Sequence, residues 1–392
     1  EGPLGVIPNG AVGIEDERIV WIGPEAELPP DAINAASIDA GGGVVMPGLV
    51  DAHTHLVHGG WRDGDFVRRA RGEGYRQIAG AGGGILATVR ATREAGEEEL
   101  LAAAVARAAE AFALGTTTIE VKSGYGLDVA TELKMLRVVR ALQERCARMT
   151  FVPTCLGAHV VPEEFQRDRA AYVRQVTDEL LPAVAAEGLA ECCDVFVEEG
   201  AFTADEARAV GAAARQCGLG IRLHVDQFHD GGGGTLAAEL GAASADHLDH
   251  VSDAGIAAMA ARGVVAGLLP GASFFVPQRA WPPVAKLVAA RVPIAVATDY
   301  NPGTSPTLDL FLCGTIAVTQ MGLPPDLALL GMTRVAARAL GRAEAIGALR
   351  PGAEADLIVL GCVSEYFPLY RFGHSSVRMV IGKGEPAWES PE

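Results

Sequence analysis

The sequence predicts an α/β fold: a (β/α)8 TIM barrel carrying a small β-sandwich domain formed from both chain termini. Three observations predict it. Short β-rich runs alternate with helix-like stretches through the middle of the chain. Both ends read as β without helical partners. The length, 392 residues, exceeds one small domain and suits a large barrel plus a minor one.

The elements follow in chain order. Residues 1–46 hold Gly/Pro-rich turns and short strands such as Arg18 to Ile22. The chain begins at Glu1 without Met, which leaves room for residues missing before the first strand. The predicted barrel strands are Gly48 to His53, Thr116 to Val121, Met149 to Cys155, Cys192 to Val197, Leu219 to Val225, Ala242 to Asp246, Val264 to Leu268 and Val292 to Thr298. Helices are predicted between them, clearest at Glu97 to Ala113, Val129 to Arg145 and Ala204 to Gln216. Eight strands with intervening helices favour a closed parallel barrel over an open sheet. Toward the end, Asp356 to Leu360 and Val377 to Ile381 read as strands. We therefore expect a barrel over 47–351 and one composite β-sandwich from 1–46 and 352–392. Two unrelated β appendages are the alternative.

Bulk composition excludes several function classes. Hydrophobic residues make up 49% and charged residues 21%, which allows a large core. The net charge of −17 disfavours nucleic acid and anionic membrane as partners. No apolar run is long enough to span a bilayer, and no signal-peptide pattern opens the chain. Seven scattered cysteines, none in a CxxC pair, argue against a disulfide framework and for a reducing cytoplasm. The runs Gly82-Gly83-Gly84 and Gly231 to Gly234 match no phosphate-binding motif. Both read as flexible loops near the barrel mouth.

The chemistry-bearing residues converge. His53 and His55, in Asp51-Ala52-His53-Thr54-His55, stand two apart at the end of the first strand, so an extended chain puts both on one face. Alone, the pair is as compatible with core histidines as with a metal site. His224 falls near the end of the fifth strand, His247 closes the sixth and Asp299 closes the eighth. Barrel enzymes build their active sites at that face. Four of the nine histidines fall in these places, against scattered core histidines and a helix-capping Asp. Neutral imidazoles and a carboxylate suit one divalent ion, Zn first and Fe or Mn tolerated. Such an ion lowers the pKa of a bound water from about 16 to near 7. Asp299 can ligate and accept the water's proton, and His247 can polarise the attacked carbonyl. The set is equipped to hydrolyse an amide-like bond.

The segment Met46-Pro47-Gly48-Leu49-Val50-Asp51 before His53-Thr54-His55 resembles the entry to the amidohydrolase superfamily. Further segments resemble its imidazolonepropionase family. They are Gly59-Gly60-Trp61-Arg62, Glu120-Val121-Lys122-Ser123-Gly124-Tyr125-Gly126-Leu127, Gly157-Ala158-His159, and Thr298-Asp299-Tyr300-Asn301-Pro302-Gly303-Thr304-Ser305. The resemblance runs over essentially the whole chain. It implies that 4-imidazolone-5-propanoate and water give N-formimidoyl-L-glutamate, a step of histidine degradation. It implies His53, His55, His224 and Asp299 as metal ligands. It implies Arg62, Tyr125, His159, Gln227, Asn301, Gly303 and Thr304 as contacts to substrate or product, and a homodimer.

Each substrate-side residue also has a plainer reading. Arg62 suits a charge-assisted bond to the propionate, with a solvated surface charge as the plainer reading. Tyr125 reads as a half-buried loop aromatic, and His159 as a backbone-bonding loop residue. A carbamylated lysine bridging two metals would be expected on the fourth strand, where Glu198 and Glu199 stand instead, so a single-metal site is preferred. Gln227 stands where related deaminases carry a proton-shuttling Glu. A neutral amide argues against a nucleobase deaminase and moves proton handling to Asp299 and His247. Another amidohydrolase with a different cyclic amide, or a non-catalytic binding barrel, remains the alternative. His58, His229, His250 and His374 receive no role.

Overall fold

The computed structural model describes the whole chain except residues 1–3, 31, 33, 34, 75, 76, 79, 80, 277–279 and 392. Its strands, in chain order, are β1 (Gly10–Glu15), β2 (Arg18–Pro24), β3 (Val45–Pro47), β4 (Leu49–Asp51), β5 (Thr116–Lys122), β6 (Thr150–Ala158), β7 (Cys192–Val197), β8 (Gly220–Val225), β9 (Ser244–His247), β10 (Val265–Leu268), β11 (Ile294–Val296), β12 (Leu357–Leu360), β13 (Val377–Gly382) and β14 (Glu385–Glu389). Strands β4 to β11 form one eight-stranded sheet in sequence order, every pair parallel. Two bonds close it past the strand ends: Asp299 N–H to the His53 carbonyl (3.0 Å) and His55 N–H to the Tyr300 carbonyl (2.8 Å). The fold is the (β/α)8 barrel.

Helices cover the sheet and start where the sequence supplies a cap. Glu97–Ala113, Val129–Arg145 and Ala204–Gln216 are all helical. Thr203 and Glu206 cap the last of these reciprocally, which satisfies two otherwise orphaned N–H groups. Asp128 accepts from Thr131 N–H to start the second. All seven cysteines are free. Among the described residues no helix is long and apolar enough to cross a membrane.

The strands differ from expectation at their ends. β4 and β11 are three residues each. There the ladder gives way to side-chain bonding across the seam: Asp51 accepts from Thr298 N–H (3.0 Å) and Thr298 Oγ1 (2.5 Å). β6 runs on to Ala158. Gly157 permits this extension, because a Cβ there would stand 2.3 Å from Leu180 Cδ2. The glycine runs need correction too. Gly231–Gly234 is no loose loop: Gly233 opens the helix Gly233–Glu239, and the N–H groups of Gly231, Gly233 and Gly234 each bond the Asp226 carboxylate at 2.9 Å. Gly84 likewise precedes the helix Ile85–Glu94 and donates to Asp65 (2.8 Å). Both runs are helix starts wrapped on a carboxylate.

Strands from both termini build the small β domain. β1 and β2 pair antiparallel, and β14-β13-β12-β3 form a second sheet. Arg18 bridges Glu354, and Ile19 exchanges backbone bonds with Gly352 and Ala353. The two sheets share a core of Ile19, Ala353, Ala355, Leu357 and Ile381. This domain meets the barrel at the beginning of β5: a Cβ on Gly115 would touch Ile358 and Val377. The mouth at the other end of the strands is left free for chemistry.

Candidate active site

Every residue singled out for catalysis stands at the C-terminal ends of the strands. His53 and His55 follow β4, His224 is the fifth residue of β8, His247 ends β9 and Asp299 follows β11. The backbone turns sharply there. Asp226, His247, Leu248 and Asp299 have φ of 53°, 78°, 64° and 53°, a region that costs an L-residue roughly 1–2 kcal/mol. Such strain collects where side-chain aim matters. Here it turns His247 and Asp299 toward the same point.

At that point His53, His55 and His224 each offer a nitrogen, all within 4.8 Å of one another. Asp299 Oδ1 lies 3.5 Å from Nε2 of both His53 and His55. The His247 ring centroid is 5.4 Å from that of His224 and 5.9 Å from that of His53. The outer nitrogens are already used. His53 Nδ1 bonds Asp246 Oδ2 (2.7 Å) and His224 Nδ1 bonds Asp194 Oδ1 (3.0 Å). Their Nε2 atoms are buried and, among the described residues, without a hydrogen-bond partner. Buried polar atoms normally have one. Two imidazoles anchored by carboxylates, with bare inward nitrogens, fit a divalent cation.

The electrostatics agree. Burial lowers the pKa of His55 to about 3, of His224 to about 4 and of His247 to about 3, and holds His53 well below the usual imidazole range. The Lys122 charge adds to the lowering at His53, His55 and His224. All four are neutral near pH 7, the form that binds a metal or donates one N–H. Burial raises the Asp299 carboxyl, opposed chiefly by His247 and His224.

The residues expected on the substrate side fall near the same strand ends. The His159 ring stacks on His55 at 5.3 Å and 17°, and its Nδ1 donates to the Gly124 carbonyl (2.9 Å). Tyr125 is buried 5.6 Å from His55. Arg62 precedes the helix Asp63–Ala70, and its guanidinium overlies Gly303, where a Cβ would stand 0.9 Å from Nη2. Asn301 uses its amide inside its own loop. It donates to the Asp299 carbonyl (2.6 Å) and accepts from the N–H groups of Gly303 (2.9 Å) and Thr304 (2.7 Å) and from Thr304 Oγ1 (3.0 Å). Gln227 is buried just past β8. Beside it, Glu198, Glu199, Gly200, Phe228 and His229 line a cavity of about 350 Å³.

Sequence reasoning missed the layer beneath. Asp194, Asp246, Glu120, Lys122 and Arg222 are all at most 1% exposed and bonded together under the histidines. The signal was present as charged residues inside otherwise apolar strands, such as Cys-Cys-Asp194-Val-Phe-Val in β7.

A (β/α)8 barrel with histidines and an aspartate gathered at its strand ends defines a class, the metal-dependent amidohydrolases. Residues 44–385 match the amidohydrolase family. An imidazolonepropionase of Anaeromyxobacter dehalogenans is 46% identical over 390 residues, covering 99% of this chain and 92% of that protein. One of Acidiphilium cryptum is 52% identical over 357 residues, covering 91% and 88%. The chain belongs to the amidohydrolase family and, within it, to the imidazolonepropionase family. Among solved structures, N-isopropylammelide isopropylaminohydrolase from Burkholderia multivorans is similar at 24% identity with a TM-score of 0.69, covering 95% of this chain and 93% of that one. A 5-methylcytosine deaminase from Klebsiella pneumoniae is similar at 17% identity and a TM-score of 0.75, covering 97% and 95%. These two share the fold.

Proposed function

We infer that the chain opens the ring of 4-imidazolone-5-propanoate by hydrolysis, giving N-formimidoyl-L-glutamate. The observation that carries this is near-full-length identity of 45–52% to imidazolonepropionases. The site supports it chemically. His53, His55, His224 and Asp299 would hold one divalent ion, zinc first and iron second. Such an ion supplies Lewis acidity for the ring carbonyl and for the attacking water.

The remaining roles belong to the chain's own residues. Arg62 binds the propionate carboxylate by a charge-assisted bond, and Tyr125, Thr304 and the Gly303 backbone bound the same corner. Neutral His159 and Gln227 match the donors and acceptors of the ring. Asp299 takes the proton of the water that adds to the ring carbonyl carbon. His247 donates its N–H to the oxygen that gains charge. As the carbon–nitrogen bond breaks, Asp299 returns the proton to the leaving ring nitrogen. Gln227 shuttles no proton and serves to orient the ring.

The experiment follows the ultraviolet absorbance of 4-imidazolone-5-propanoate with protein as purified, after chelation, and after zinc or iron is returned. Absorbance is expected to fall, to stop falling on chelation, and to resume with metal. Hydantoins and dihydropyrimidines run alongside. Turnover of these by the metal-loaded protein, with the imidazolone untouched, would reassign the substrate.

A further inference from the structure

A barrel interior built for stability alone is filled by apolar layers. This barrel holds charges there instead. β5 sends in Glu120 and Lys122, β7 Asp194, β8 Arg222 and β9 Asp246, and none is more than 1% exposed. Burying ions returns little stability compared with apolar side chains of the same size. The arrangement of the bonds shows what the charges accomplish.

The Asp194 carboxylate is split. One oxygen takes His224 Nδ1 (3.0 Å), and the other takes Lys122 Nζ (2.8 Å). Lys122 is itself pinned from behind by Glu120 Oε1 (2.8 Å). Glu120 is pinned in turn by Thr54 N–H (3.2 Å), in the turn between His53 and His55. The second arm is built separately. Asp246 takes His53 Nδ1 (2.7 Å) and Arg222 Nη2 (3.2 Å). Arg222 is tethered to the carbonyls of Ala52 (2.7 Å) and Ala339 (3.0 Å). Below the rings the arms approach each other at Arg222 and Glu120, 3.9 Å apart, and at their upper ends the His53 and His224 ring centroids stand 4.4 Å apart.

We propose that Lys122 is a positioning residue for metal capture: it aims the Asp194 carboxylate, which fixes the His224 ring with Nδ1–H outward and Nε2 toward the ion. The proposal rests on the metal-site reading above. It adds that Lys122 acts on His224 first, so losing Lys122 disturbs the His224 ring more than the His53 ring, whose Nδ1 keeps Asp246.

Apo-protein is titrated with Co2+, read by its visible absorption, for wild type, Lys122→Met, Asp194→Asn and the double variant. Zinc-loaded samples with nitrogen-labelled histidine report the imidazole N–H resonances. Wild type is expected to bind one Co2+ per chain. Asp194→Asn should weaken binding about 10–100-fold, the usual cost of losing a partner of a metal-binding histidine, and Lys122→Met, one bond further out, should weaken it by a measurable part of that. Its His224 N–H resonance should shift or broaden more than that of His53. The double variant should bind no more weakly than Asp194→Asn alone, because Lys122 acts through Asp194. The double variant also removes two opposite buried charges together, so it tests the claim even where Lys122→Met does not fold. Additive losses in the double variant would overturn the proposal. So would a folded Lys122→Met protein with unchanged Co2+ affinity and an intact His224 resonance. Failure of wild type to bind Co2+ would refute the metal reading and the proposal with it.

Discussion

Arg62 and Gly303 meet where neither could be replaced quietly. The guanidinium occupies the volume a Cβ on Gly303 would need, 0.9 Å from Nη2. Only the far end of a flexible side chain has to move in Gly303→Ala, so the fold should survive. The guanidinium proposed to bind the propionate is displaced, and KM for 4-imidazolone-5-propanoate should rise about 10–100-fold, a loss of roughly 1.4–2.8 kcal/mol, with little change in melting temperature. Steady-state kinetics check this, and an unchanged KM would remove Arg62 from the propionate. The residues proposed for the chemistry were legible in the sequence because ligand types are few and barrel strand ends are where they must stand. The residues that hold them were not. Asp194 and Asp246 look like odd charges in apolar strands until the barrel brings β5, β7, β8 and β9 side by side.

Among the elements, the alternation of strand and helix was readable, the three clearest helices to the residue and the strand ends to within about three residues, since β-branched runs and capped Ala-rich helices carry their own periods. The glycine runs were not, because their meaning depends on a partner far along the chain or on a carboxylate beside them. Asp226 is the clearest case. It is buried at φ 53°, and its carboxylate receives three backbone N–H groups at the start of the helix Gly233–Glu239. Asp226→Ala removes all three acceptor contacts and should destabilise the protein by roughly 2–4 kcal/mol. Asp226→Asn, which keeps an acceptor oxygen and tolerates the backbone conformation, should lie between. Urea denaturation gives the magnitude. Hydrogen exchange should show the loss of protection concentrated in residues 227–234, next to Gln227. Uniform exchange across the barrel would mean that Asp226 does not organise this turn.

At the scale of the molecule, chemistry and assembly occupy opposite ends of the barrel. The small β domain packs where β5 begins, and Asp356 sits in that seam. Its carbonyl accepts from Gly48 N–H (2.9 Å), and its Oδ1 accepts from Lys383 N–H (2.8 Å). Burial raises this carboxyl from 3.8 to about 6, against the Lys383 N–H bond that lowers it. The folded protein therefore holds the proton more tightly than the unfolded chain does. Below about pH 3 both states are protonated and Asp356 is neutral to stability. As pH rises toward 6 the unfolded chain ionises first, so stability falls, by up to about 3 kcal/mol, and it stays lower above that. Asp356→Asn keeps the acceptor oxygen for Lys383 and removes the charge. It should melt a few degrees higher than wild type at pH 8 and at the same temperature near pH 3. Because the seam lies away from the mouth, kcat/KM should not change. Melting curves across this range decide the matter: a variant less stable at pH 8 would mean that the ionised carboxylate holds the two domains together rather than straining their junction.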